Sequence, residues 1–107
     1  MSAVEPVSTS ITFLIDNKVL SGASGEAFAR IKPEAKRDFL PVRRIAYRLR
    51  CSHSYFDMLH DRFSKKKLVR FEVHRQFQVE ISVTAVLAEV AGESDGSVVC
   101  LVEFDLP

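Results

Sequence analysis

Two histidines and two aspartates fall close together in the sequence, at His53, Asp57, His60 and Asp61. On a helix, spacings of three and four residues place side chains on one face. Imidazole and carboxylate groups on a shared face are suitable ligands for zinc or another transition ion. No further Cys or His cluster completes the site, and these residues also suit the solvated face of an amphipathic helix. We therefore predict neither a metal ion nor another cofactor.

Nucleophilic catalysis finds little support in the residue pattern. The sequence has no Gly-x-Ser-x-Gly motif and no phosphate-binding loop. Cys51 and Cys100 are in phase with apolar neighbours, which is typical of small buried residues in a reducing cytosol. Glu72 and His74 share the polar face of a predicted strand, where cross-strand ion pairs are the usual role. We predict a cytoplasmic protein that is not an enzyme.

The uneven distribution of charge is the strongest functional signal. The net charge is only +1, but residues 29–67 carry +8 and residues 68–107 carry −5. Such asymmetry is typical of a protein that recognises a charged partner. The predicted basic surface combines one strand face with the end of the following helix, and its members are Arg43, Arg44, Arg48, Arg50, Lys65, Lys66 and Lys67.

Two functions fit this charge pattern. The leading one is a small interaction or assembly module, a homo-oligomer or a subunit of a larger complex, in which the basic middle meets an acidic surface of a neighbour. The predicted acidic and apolar interface lies on the last strand and comprises Val99, Leu101, Glu103 and Asp105. The alternative is DNA or RNA binding, in which the basic face holds the phosphate backbone. Neither function involves a membrane.

One two-part motif calls for comparison with a known family. Arg44-x-x-x-Arg48 followed by Asp95-x-Ser97 resembles part of the signature of cyclic-dinucleotide-binding PilZ domains. That signature has a glycine three residues after the serine, where this chain has Cys100, and too few residues follow for the remaining strands of that fold. We assign no family.

The stretch from Leu68 to Leu87 must organise the fold. Its odd positions are apolar with the exception of Arg75, and its even positions are mostly polar. Alternation with a period of two predicts strand structure with one buried and one wet face. Because this stretch is longer than a usual strand, it either bends near 74–76 or curves as one long strand. Residues 81–91 have mixed propensities, and the unbroken alternation favours a strand there.

The remaining elements supply a cover for this sheet. Residues 1–9 are predicted to be a flexible arm, and residues 10–107 a single domain. We predict a shorter helical region at about 24–40 and a main amphipathic helix at about 54–66. The sequence contains no apolar run long enough to cross a membrane as a helix. The predicted fold is therefore α+β, an antiparallel sheet of about five strands with both helical regions on one face.

Overall fold

The part of the chain that the structure describes consists mainly of seven antiparallel strands and one α-helix. The structure, a computed structural model, describes residues 10–31 and 43–106, with the backbone alone for 28–31, 43 and 106. The predicted flexible arm, residues 1–9, lies outside the described residues. The elements in chain order are β1 (Ile11–Ile15), β2 (Lys18–Val19), β3 (Ser24–Ile31), β4 (Arg43–Ser52), α1 (Phe56–Ser64), β5 (Leu68–Arg75), β6 (Gln78–Gly92) and β7 (Ser97–Leu106).

The strands form a single sheet in the order β2-β1-β5-β6-β7-β4-β3. The prediction of an α+β fold, with about five strands and a second helical region at about 24–40, is therefore wrong, because the described residues are mostly one antiparallel sheet of seven strands. Ser24–Ile31 is not helical but forms strand β3, which pairs with β4 along its whole length. Eight backbone pairings to a neighbouring strand outweigh the weak helical propensity of this short segment. Residues 32–40 of the predicted helical region lie outside the described residues.

The alternating stretch from Leu68 to Leu87 forms most of a β-hairpin made of β5 and β6. Val69, Phe71 and Val73 are buried, as the alternation predicts. The chain reverses at Gln76 and Phe77, and Arg75 pairs with Gln78. This reversal lies at the end of the predicted 74–76 bend. Residues 81–91 continue β6, so the strand interpretation of that segment is confirmed.

The sheet curves strongly around its apolar face. Phe13 on β1 and Tyr47 on β4 pack with ring centroids 6.2 Å apart, although β5, β6 and β7 lie between these strands in the sheet. At Gly25 on β3, an added Cβ would lie 2.6 Å from Leu49 Cδ2 and 2.9 Å from Phe13 Cζ. The absence of a side chain at Gly25 therefore lets the two ends of the sheet approach across the core.

The predicted amphipathic helix covers the open side of the curved sheet. Ser52 caps its entry, because its hydroxyl accepts a hydrogen bond from the Ser54 backbone N–H at 3.3 Å. A 3-10 turn over His53–Tyr55 leads into α1. Leu59 of α1 is completely buried and belongs to the central apolar cluster. α1 lies within the range predicted for the main helix, about 54–66, but it begins two residues later and ends two residues earlier.

Candidate interaction surface

The predicted basic and acidic surfaces lie on adjacent strands. β4 pairs with β7 over ten residues, with Arg44 opposite Asp105. The Arg44 guanidinium donates hydrogen bonds to both carboxylate oxygens of Asp105, at 2.8 and 3.2 Å, and to Glu103 at 3.3 Å. Hydrogen bonding to Asp105 is the main cause of a raised pKa of Arg44. The positive charge of Arg44 is therefore balanced within the molecule.

Arg50 is balanced in the same way at the other end of β4. It donates a hydrogen bond to the Ser97 hydroxyl at 2.8 Å and lies 3.6 Å from Asp95 and 3.9 Å from Glu93. The hydroxyl and backbone N–H of Ser97 both donate to Asp95, which lowers the pKa of that carboxyl. Opposite charges that are separated in the sequence thus meet in neighbouring elements.

The residues predicted for an acidic and apolar interface share one face of β7. β7 is an internal strand between β6 and β4. Val99 and Leu101 are half-buried on this face and lie opposite Arg50 and Arg48. Arg44, Arg48 and Arg50 of the predicted basic surface therefore share one mixed-charge face with the predicted acidic and apolar interface. Arg43 begins β4, and its side chain lies outside the described part of the structure.

The three predicted lysines form a second positive group, away from the arginines. They follow the last residues of α1, next to β6, and β7 separates β6 from the arginines of β4. Lys65 pairs with Asp61 at 2.7 Å, and Lys67 lies 3.9 Å from the same carboxylate. The hydrogen bond from Lys65 lowers the pKa of Asp61. Lys66 is exposed and has a φ of 53° where the helix ends.

An apolar groove of about 490 Å³ lies beside these lysines, between α1 and β6. Leu68, opposite Val86 at the start of β5, is 67% exposed. A β-bulge forms the strand side, because Ala88 is an extra residue between the pairs Leu87–Val102 and Glu89–Leu101. The groove is lined by Phe63, Ser64, Lys66, Lys67, Val86, Leu87 and Ala88.

The second notable feature is the exposed tip of the β5–β6 hairpin. Phe77 is fully exposed, with a relative accessibility of 104%. Its φ is 67° and that of Gln76 is 51°, as a two-residue type I′ turn requires. Val79 is 57% exposed, because the extra residue Glu80 interrupts the alternation between the pairs Val73–Ile81 and His74–Val79.

Sequence reasoning missed both the groove and the tip. Val86, Leu87 and Ala88 are three consecutive apolar residues, which break the alternation and could have indicated a bulge. Gln76-Phe77 lacks the Asn, Asp or Gly that type I′ turns prefer, so no turn signal marked it. The predicted 74–76 bend came close to the tip, but it placed Phe77 on the buried side.

The histidines of α1 stack on aromatic rings. His53 stacks on Phe56 with centroids 5.6 Å apart, and Phe56 stacks on His60 at 5.2 Å. Within residues 10–31 and 43–106, no group of three or more His, Cys, Asp or Glu residues is placed to hold a metal ion. Phe56 is half-buried and packs against the central apolar cluster, so the two exposed histidines flank a ring of the core edge.

Both cysteines are free thiols in the core. Burial raises the pKa of Cys51. Burial, together with Cys51, raises the pKa of Cys100 to about 12. Since the thiolate is the nucleophilic form, neither residue is suited to covalent chemistry near neutral pH.

Comparison with known proteins gives no information about the function of this chain. No family model, curated protein or solved structure matches the chain. Among the residues described, no helix is long and apolar enough to cross a membrane.

Proposed function

We propose that this protein is a small non-enzymatic assembly module that binds another copy of itself through the groove between α1 and β6. The groove carries the proposal. It is apolar and open to solvent, and its lining residues Lys67 and Val86 are the sequence neighbour and the strand partner of the exposed Leu68. Exposed apolar patches on small proteins usually mark contact sites. A groove of this size can receive one or a few apolar side chains of a neighbouring molecule.

The distribution of charge supports protein binding over nucleic-acid binding. Arg44 and Arg50 already contact acidic groups of their own chain. A phosphate backbone would have to compete with those carboxylates and would meet them as like charges. Lys65, Lys66 and Lys67 remain as a compact positive group, and they border an apolar groove rather than a row of stacking aromatic side chains.

Light scattering after size exclusion tests the proposal. The protein is run over a range of concentrations at low and high salt, with absorbance at 260 and 280 nm. We expect a mass above the monomer value of 12.1 kDa that rises with concentration and persists in high salt, because apolar contacts are not screened by ions. Ala88→Arg fills the groove at an exposed position and should give a monomer.

Ala27→Arg is the matched control, since Ala27 is exposed and lies on β3, at the far edge of the sheet. This variant should associate like the wild type. A clean wild-type monomer at every concentration and both salts would overturn the proposal. A monomer with strong 260 nm absorbance that high salt removes would instead support nucleic-acid binding. Loss of association in Ala27→Arg alone would assign the contact to the β3 edge.

A further inference from the structure

We infer that self-association is head-to-tail, with Phe77 of one copy inserted into the α1–β6 groove of the next. The inference rests on the proposed function and specifies the partner surface. Two kinds of observation support it: the charge around the groove and the placement of exposed apolar side chains on the rest of the molecule.

A symmetric pairing of two grooves is disfavoured by charge. In a two-fold interface the same patch meets itself, so Lys65, Lys66 and Lys67 of both copies would be brought together. Asp61 balances only one of these three charges within each copy. Juxtaposed like charges oppose association. The groove therefore requires a surface of different composition, and such an interface is heterologous.

The hairpin tip has that composition. Five large hydrophobic residues of the described chain are exposed, and one of them, Leu68, pairs with Val86 of the groove lining. The other four lie on or near the tip of the β5–β6 hairpin: Ile11, Val19, Phe77 and Val79. We call these four residues the tip patch.

The tip carries less positive charge than the groove end. Arg75 pairs with Glu80 at 2.8 Å, and Glu72 contacts His74 at 3.0 Å. Lys18, next to Val19 of the tip patch, is offset in formal charge by Glu72, so the tip is close to neutral. The groove end has an excess of positive charge, and this difference favours tip-to-groove contact over groove-to-groove contact.

The backbone of Phe77 gives a further reason to assign it a binding role. A large side chain at positive φ is unfavourable, and here the ring is fully exposed and buries no surface within its own chain. The fold therefore gains no packing from Phe77. Aromatic side chains that protrude in this way are the usual anchors of protein interfaces.

The tip and the groove lie far apart on each copy, so one copy can bind two others. Val86 follows Phe77 by nine residues along an extended chain, which places the groove, beside the middle of β6, about 30 Å from the tip that precedes this strand. When two copies bind through one tip and one groove, the other tip and the other groove of the pair stay unoccupied. The chain should therefore form open head-to-tail oligomers or a closed ring.

Mixing two variants tests this inference directly. Phe77→Gly retains the groove and lacks the anchor, and glycine adopts positive φ without strain. Ala88→Arg retains the anchor and has a filled groove. Each variant alone should stay at the monomer mass in light scattering. An equimolar mixture should form a 1:1 dimer of twice that mass and grow no further, because only one productive contact is available. The two variants are distinguished in the dimer by mass spectrometry.

The remaining outcomes separate the two proposals. If Ala88→Arg is monomeric and Phe77→Gly associates like the wild type, the groove is an interface and the head-to-tail inference is wrong. If both variants are monomeric and the mixture is also monomeric, the contact is symmetric and the inference is wrong. If the wild type itself is monomeric, the proposed function fails and this inference fails with it.

Discussion

Arg44 and Asp105 lie directly opposite each other on β4 and β7, and the guanidinium holds both oxygens of the carboxylate. The two residues are 61 positions apart in the sequence, and the sheet makes them neighbours. Strand β4, from a segment of charge +8, thus pairs with strand β7, from a segment of charge −5. Charge asymmetry along a chain is therefore a poor guide to charge asymmetry on its surface.

Replacement of Arg44 by methionine should lower the free energy of unfolding by about 1 kcal/mol, because a partly buried bidentate pair is stronger than an exposed one. Arg48→Met is the matched control, since Arg48 is exposed on the same strand and no ion pair involves it in the described part of the chain. Urea unfolding at low salt compares the two variants. Equal losses would show that the Arg44–Asp105 pair adds nothing to stability.

Asp16 connects the first hairpin to the helix and to β5. It accepts hydrogen bonds from the Arg70 backbone N–H at 2.8 Å and from Arg62 Nε at 2.9 Å. Partial burial would raise the pKa of Asp16, but these two hydrogen bonds and the Arg62 charge lower it overall below 3.8. We expect Asp16→Asn to cost about 1–2 kcal/mol near neutral pH, while asparagine still tolerates the positive φ of this turn position.

The stabilisation of the fold by Asp16 should be present near neutral pH and lost at acidic pH. A carboxyl whose pKa is lower in the folded state stabilises the fold above its unfolded pKa and loses that effect as the pH falls through the folded value. The difference between wild type and Asp16→Asn should therefore shrink below about pH 4. Glu89→Gln, which removes the charge of an exposed carboxylate, is the control. Its free energy of unfolding should differ little from that of the wild type both near neutral pH and below about pH 4. A difference for Asp16→Asn that is constant with pH would contradict this assignment.

Gly25 should tolerate no side chain. An added Cβ would overlap Leu49 and Phe13, both buried, so Gly25→Ala should cost about 1–3 kcal/mol through displacement of core residues. Gly92→Ala is the control, because nothing lies within 4 Å of its added Cβ. Urea denaturation of the two variants checks the prediction. Similar midpoints for the two would show that the ends of the sheet approach less closely than described.

Phe77→Gly should raise the free energy of unfolding by up to about 1 kcal/mol, since glycine relieves the positive φ and no buried contact is lost. Phe77→Asn should change stability in the same direction, because asparagine also tolerates this conformation. Thermal unfolding at low protein concentration avoids any contribution from association. A destabilised Phe77→Gly would mean that the ring packs against its own chain.

Much of the fold was predictable from local patterns. The alternation from Leu68 onward predicted the buried residues of β5, and the amphipathic spacing around Leu59 predicted the helix that covers the sheet. Both patterns arise because a strand or helix with one apolar face must bury that face.

Only the tertiary structure decided which of those residues meet. β3 has ambiguous propensities, and pairing with β4 makes it a strand. The bulges at Glu80 and Ala88 reverse which side of the sheet a residue faces, so they expose Val79 and open the groove. The acidic strand β7 lies beside the arginines of β4, so the charges of Arg44 and Arg50 are balanced internally. These outcomes depend on strand order and register, which are set by contacts between residues far apart in the sequence and which local propensity does not encode.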